Sequence, residues 1–187
     1  MNDRIESIDQ FRGLAILLMV LVNYAADVQP VPAWLKHAPD IGFTIADLVA
    51  PMFIFAIGLT FGVSARKRRE RDGLGKTIEH FVRRYLAILG IGAILSAGET
   101  MLGMNHSGVD WGALQAIGGA GLVALTVIFL PTRLRLFLGV GLLAVYQGLV
   151  NTFWLDLVLR PPHGGLIGTM SWSAMLILAT VFGDLLH

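Results

Sequence analysis

The sequence contains no cysteine, which excludes disulfides, thiolate metal sites and cysteine nucleophiles. Charge is also scarce: Asp, Glu, Lys and Arg make up 14% of the chain, whereas about one quarter of an ordinary soluble domain is charged. Hydrophobic residues make up 55%, and the mean hydropathy is +0.70. Such a chain suits a lipid bilayer, so the sequence predicts an all-α integral membrane protein.

Several charge-free apolar stretches have close to the roughly 20 residues that a membrane-spanning helix needs. Two more stretches are shorter, one following Arg12 and one ending at Glu99. We count both as spans, because a long arginine stem can carry its guanidinium to the headgroups and a carboxylate can sit at an interface. The sequence therefore predicts a single bundle of about six transmembrane helices, over residues 11–28, 45–65, 84–102, 111–130, 136–156 and 165–185.

Basic residues are concentrated between the second and third predicted spans, from Arg66 to Arg84. The positive-inside rule places this connection in the cytoplasm, together with both termini and the turn from Pro131 to Arg135. A basic run can also bind nucleic acid, but beside a membrane helix we interpret it as a topology signal and a contact with anionic lipid, with no nucleic-acid partner. The loops that carry His37, His106 and His163 then lie on the outer side.

Asn23, His37 and Asp47 form a predicted polar cluster on that outer side. A histidine titrates near neutrality, so His37 can take a proton from an attacking amine or hydroxyl, or can itself receive an acyl group. Asn23 can orient the ring or hold an oxyanion. Structural alternatives stay open: His37 can simply face solvent, and Asp47 can cap the helix through the spacing Thr44-Ile-Ala-Asp47.

Other polar residues near the membrane also have two interpretations. Asp9 and Arg12 are neighbours on one helical face and can form an ion pair or meet an anionic ligand. Gln115 needs a polar partner, which can be a neighbouring helix or a ligand in a cavity. No metal site is expected, because no two histidines have the i, i+4 spacing of a familiar zinc site and the remaining acids and histidines are scattered; these are Glu99, His106, Asp110 and His163.

Two segments carry a family resemblance. Residues 4–24 read RIESIDQFRGLAILLMVLVNY and residues 37–51 read HAPDIGFTIADLVAP. Weaker similarities occur at residues 74–76, 114–115 and 165–169. The combined pattern of Asp-x-x-Arg-Gly, Val-Asn-Tyr and His-x6-Thr-x2-Asp resembles heparan-α-glucosaminide N-acetyltransferase and its bacterial relatives.

This resemblance implies a transmembrane acetyltransferase in a bacterial inner (plasma) membrane. Such an enzyme takes acetyl from cytoplasmic acetyl-CoA and delivers it to an amine or hydroxyl of a sugar on the outer side. The resemblance implies that His37 is catalytic and that Asn23 assists it. Our own hypothesis adds that Asp47 fixes the site. The expected acetyl-CoA-binding residues are Arg12, Lys76, Arg83, Arg84 and Gln115.

Members of this family continue with further spans, so we expect the chain to be the N-terminal portion of a longer family domain. It would then act as a homo-oligomer or with a C-terminal half. Where the family carries Trp-Asn this chain has Pro39-Asp40-Ile41, so acceptor recognition is expected to differ. Two other functions stay open, a noncatalytic membrane subunit and a transporter or permease that uses Asp47, Glu99 and Gln115 as polar sites at membrane depth.

Overall fold

The computed structural model describes residues 6–25, 30–38, 42–103 and 110–186, so the predictions for His106 and for residues 39–41 lie outside the described residues. Within these ranges the chain forms helices and loops and no β-strand, which confirms the all-α class. The helices are α1 (Glu6–Ala25), α2 (Ile45–Asp72), α3 (Leu74–Met101), α4 (Ala113–Val127), α5 (Thr132–Leu149), α6 (Leu155–Leu159) and α7 (Gly165–Leu186).

Five helical stretches in the described part of the chain are long and apolar enough to cross a membrane. Four of them are α1, α2, α3 and α7, and the fifth is Thr132–Leu159, in which a π-helical turn joins α5 to α6. Helix α4 is apolar but has 15 residues, so it is about 22 Å long, against a hydrocarbon core of about 30 Å. Each predicted span overlaps one helical stretch, and the count of six stays a prediction.

Helix α7 lies at the centre of the bundle and packs against α2, α4 and α5, while α3 packs on α4 and α1 on α2. Small residues bring these helices together. A Cβ built on Gly58 would lie 2.3 Å from the Cβ of Ala179, and one on Gly121 would lie 2.1 Å from the Tyr85 ring. Glycines of α2 and α4 are therefore sites of close helix approach.

Helices α2 and α7 run in the same direction, and their polar residues therefore collect at two opposite ends. The histidine end contains His37, Asp47, His163 and Trp172, where α2 and α7 begin. The arginine end contains Arg66, Thr132, Arg135 and Asp184, where α2 and α7 finish and α5 begins. Between the ends, many large apolar side chains are exposed on the outside of the bundle, as lipid contact requires; they include Leu17, Val20, Ile94, Phe137 and Val140.

Candidate active site

Asp47 organises the start of α2 at the histidine end. Its Oδ2 accepts a hydrogen bond from the Thr44 backbone N–H at 2.9 Å, which is the reciprocal half of the capping box that the sequence predicts. The same oxygen accepts the Ala38 backbone N–H at 3.2 Å. The Thr44 hydroxyl in turn donates to the Lys36 carbonyl at 2.7 Å. Asp47 therefore ties the loop that precedes α2 to the first turn of this helix.

The other oxygen of Asp47 contacts His37, with 2.8 Å between Oδ1 and the ring Nδ1. An ionised carboxylate only accepts hydrogen bonds, so Nδ1 carries the proton and Nε2 of the neutral ring carries a lone pair. The His37 side chain is 58% exposed, which leaves that nitrogen accessible. One carboxylate thus both caps the helix and orients the imidazole, and the two interpretations of Asp47 coexist.

His37 and Asp47 line a cavity of about 420 Å³ between the starts of α2 and α7. Ala46 and Ala50 leave room on the α2 side, and His163 and Trp172 form the opposite wall. This volume falls within the range of small-molecule sites, about 300–1,000 Å³. A second, much smaller apolar cavity of about 10 Å³ adjoins this one and shares His163 and Trp172; its lining also includes Ile54, Ala113, Ala116 and Ile117.

His163 and Trp172 are functional candidates that the sequence-based prediction of the site does not include. The sequence places His163 on the same side as His37, but as one of three loop histidines. The available signal was local: a histidine followed by Gly164 and Gly165, immediately before α7. Burial lowers the pKa of His163 below its ordinary value of 6.5, and the nearby His37 lowers it further.

Asn23 lies at the same end of the molecule but is not part of the described lining of this cavity. It is exposed near the end of α1, next to the buried Val22. Val22 packs with Ala46 and Val49 of α2, and this contact brings the end of α1 to the start of α2. Asn23 therefore lies beside the histidine end without contributing to the described cavity wall.

The predicted acetyl-CoA-binding residues separate into different places. Arg12 and Arg84 come together and line a cavity of about 190 Å³, with Thr60 and Ser64 of α2 among its polar residues. This cavity lies between α1, α2 and α3, in the half of the bundle nearer the arginine end. Arg12 also lies 3.9 Å from Asp9, at the predicted i, i+3 spacing.

The other three predicted acetyl-CoA-binding residues lie outside this cavity. Arg83 forms an exposed pair with Glu79 at 2.7 Å, and Lys76 is exposed in the first turn of α3. Gln115 is buried near the start of α4, where its amide donates to the Asp110 carbonyl at 2.9 Å. No cluster of three or more metal-ligating side chains occurs among the residues that the structure describes.

The arginine end holds a buried guanidinium that the sequence assigns only to membrane topology. Arg135 is 1% exposed and donates to the Leu130 carbonyl at 3.1 Å, to Thr180 at 2.7 Å and to Asp184. Asp184 also pairs with Arg66 at 2.7 Å. These residues adjoin a cavity of about 460 Å³ whose wall includes Arg66, Arg69 and Phe129.

Comparison with known proteins gives a consistent family assignment. Residues 4–180 match the model of a family described as heparan-alpha-glucosaminide N-acetyltransferase, catalytic. The mouse heparan-alpha-glucosaminide N-acetyltransferase is 32% identical over 123 residues, which cover 62% of this chain and 18% of that protein. The human protein of the same name is 44% identical over 61 residues, covering 33% of this chain and 9% of that protein. The chain thus spans less than a fifth of the length of these relatives.

Proposed function

We propose that this chain, which belongs to the heparan-alpha-glucosaminide N-acetyltransferase family, transfers acetyl from acetyl-CoA to an amine or hydroxyl of a sugar across the membrane. Its apolar helices and its family make it an integral membrane protein of an acetyltransferase family. The acceptor class follows from the names of the mouse and human relatives, which specify an N-acetyltransferase acting on a glucosaminide.

One observation supports this proposal most directly: the His37–Asp47 pair borders a cavity large enough for a small molecule. A carboxylate on Nδ1 holds the tautomer in which Nε2 can act as a base or nucleophile, the same arrangement that carboxylate–histidine pairs use in acyl transfer. Asp47 is the positioning residue of the pair. We assign a supporting role to Asn23, which lies at the same end: it orients the His37 ring or stabilises the oxygen of the acetyl carbonyl.

Two routes use this pair. In the first, His37 Nε2 attacks the thioester carbonyl carbon, the C–S bond breaks, and CoA leaves as a thiolate; the acceptor then attacks the acetyl-imidazole and frees His37. In the second, the acceptor attacks the thioester carbonyl carbon directly while His37 removes its proton, the C–S bond breaks, and CoA leaves as a thiolate. Both require the free lone pair that the Asp47 contact leaves on Nε2.

The donor is proposed to enter from the opposite end. With the arginine-rich end in the cytoplasm, as the charge distribution predicts, the two termini lie inside and His37 lies outside. Arg12 and Arg84, which share a cavity in the inner half, are suited to CoA phosphates, whereas Arg83 is engaged with Glu79.

The test is acetyl transfer by the purified, detergent-solubilised protein, with acetyl-CoA as donor and D-glucosamine as acceptor. We expect His37→Ala to reduce turnover by at least about 10²-fold, in the range that general acid–base catalysis supplies. His80→Ala is the matched control, because this histidine lies on α3, away from the cavity. Equal turnover by the parent and the His37 variant would refute the mechanism, and gradient-driven uptake without thioester cleavage would indicate a transporter.

A further inference from the structure

His163 is the second histidine of the cavity, and the proposed mechanism does not yet use it. It lies in the short turn Pro162–Gly164 between α6 and α7. Its half-buried ring faces the same space as His37 and makes an edge contact with Trp172, at 6.1 Å between ring centroids. The ring nitrogens make no hydrogen bond within the described ranges.

The backbone at His163 is in an unusual conformation. Its φ of 55° and ψ of 23° lie in the left-handed region, and in the described part of the chain it is the one non-glycine residue with positive φ. This conformation is unfavourable for residues other than glycine. Such residues persist where the surrounding structure imposes them, and they are concentrated at functional sites.

Several contacts impose this conformation. The Trp172 indole N–H donates to the His163 carbonyl oxygen at 3.1 Å. That oxygen lies so close to α7 that a Cβ built on Gly168 would be 2.4 Å from it. Gly164 and Gly165 follow with φ of 77° and 63°, which continue the left-handed turn without a Cβ penalty. The turn thus fixes the backbone of His163 while its ring stays in the cavity.

The two histidines of the cavity differ in their electrostatic surroundings. Asp47 contacts His37 directly. The charged or titratable groups that share the described cavity lining with His163 are His37 and Asp47, on the side where α2 begins. Helix α4 presents Ala113, Ala116 and Ile117 to this region, and α7 presents Trp172. Burial disfavours the charged form of His163, so its imidazole is neutral near pH 7 and can accept a proton.

We propose that His163 accepts the proton of the acceptor amine or hydroxyl as that group attacks the acetyl carbon. This inference rests on the proposed function. In the acetyl-imidazole route, a new N–C or O–C bond forms, and the acetyl carbon loses its bond to His37 Nε2, which keeps the electron pair. The proton moves from the acceptor to a ring nitrogen of His163 and then to solvent. Two titratable groups in one cavity thus divide activation of the acetyl group and deprotonation of the acceptor.

The experiment compares His163→Asn and His163→Gly in the purified protein. Both residues tolerate the left-handed backbone, so they remove the base and retain the turn. With D-glucosamine as acceptor, we expect turnover to fall about 10²-fold. Release of CoA from acetyl-CoA without acceptor should stay within about twofold of the parent in the acetyl-imidazole route. Millimolar imidazole should raise the rate of the glycine variant several-fold and leave the parent unchanged, a rescue that a purely structural role would not give.

The outcomes separate this inference from the proposed function. If the parent transfers acetyl and folded His163→Asn and His163→Gly match it, the inference is wrong and the proposed function stands. It is also wrong if both variants lose acceptor-dependent and acceptor-free CoA release equally and imidazole restores neither. A parent that never cleaves acetyl-CoA refutes the proposed function, and this inference with it. Thermal melting of each variant identifies loss of fold, and if only one variant folds, that variant decides.

Discussion

Each end of the bundle has a central aspartate, which pairs with arginines at one end and with a histidine at the other. At the arginine end, Arg135 is buried and bonded to a carbonyl, to the hydroxyls of Thr132 and Thr180 and to Asp184, so most of its N–H donors are used within the protein. At the histidine end, Asp47 engages only one nitrogen of an exposed His37 and leaves the other directed to solvent and cavity. The arginine–aspartate pair is bonded within the protein and stabilises its structure. The histidine–aspartate pair leaves one ring nitrogen without a bond to Asp47, and that nitrogen can react.

The two aspartates also differ in how many helices they connect. Asp184 joins α7 to α2 through Arg66 and to α5 through Thr132, so the arginine end connects three helices. Asp47 acts within one loop and one helix turn, accepting the Thr44 and Ala38 N–H groups. We therefore expect substitutions at the arginine end to affect folding first and those at the histidine end to affect turnover first.

The largest effect is expected from Asp47→Asn. The amide can hold the ring in the wrong tautomer, so we expect kcat to fall by about 10²- to 10⁴-fold while thermal stability falls by about 1 kcal/mol through the weakened cap. Acetyl-CoA turnover and a melting curve measure the two quantities on one sample. A variant with parental kcat would show that Asp47 serves only as a cap.

The same chemical change at the other end, Asp184→Asn, should act on stability instead. It leaves the buried Arg135 without its counter-charge, a loss of about 3–5 kcal/mol. We expect a clearly lower melting temperature and a kcat, per folded molecule, within about threefold of the parent. Should kcat fall as far as in Asp47→Asn with stability unchanged, the contrast between the two ends would be lost.

A smaller effect is expected in the half of the bundle nearer the arginine end, where Arg84 is proposed to bind acetyl-CoA. Removing a charge-assisted contact to a phosphate costs about 1.5–3 kcal/mol, so Arg84→Gln should raise the KM for acetyl-CoA at least about tenfold. Arg83→Gln is the matched control on the next residue, because its side chain is 79% exposed and paired with Glu79. Equal KM values for both variants would remove Arg84 from the donor site.

Much of the architecture could be predicted because apolar length and helix caps are local properties. The apolar stretches predicted helices at each place where the structure has a long one, and the Thr44–Asp47 spacing predicted the cap that the structure contains. The family was also correctly identified, from motifs in the first two helices. The placement of His37, Asp47 and Asn23 on one side followed from alternating helix direction, and the structure puts all three at one end.

Contacts between side chains of distant segments could not be predicted from the sequence. Arg12 and Arg84 meet through the packing of three helices, and Gln115 is bound to its own loop instead of joining them. Arg135 was assigned to topology because nothing local indicates that Thr180 and Asp184 surround it. Charge and spacing along the chain do not encode which faces of two helices meet.

The sequence by itself thus determined a helical membrane protein of one acetyltransferase family, because hydrophobic length, charge asymmetry and short motifs are read along the chain. Only the tertiary structure decided that α2 and α7 run side by side. That packing brings His163 and Trp172 to the cavity of His37, although more than a hundred residues separate them in sequence. The physical reason is that close packing at glycines such as Gly58 and Gly183 selects helix neighbours, and neighbours determine which polar groups share one cavity.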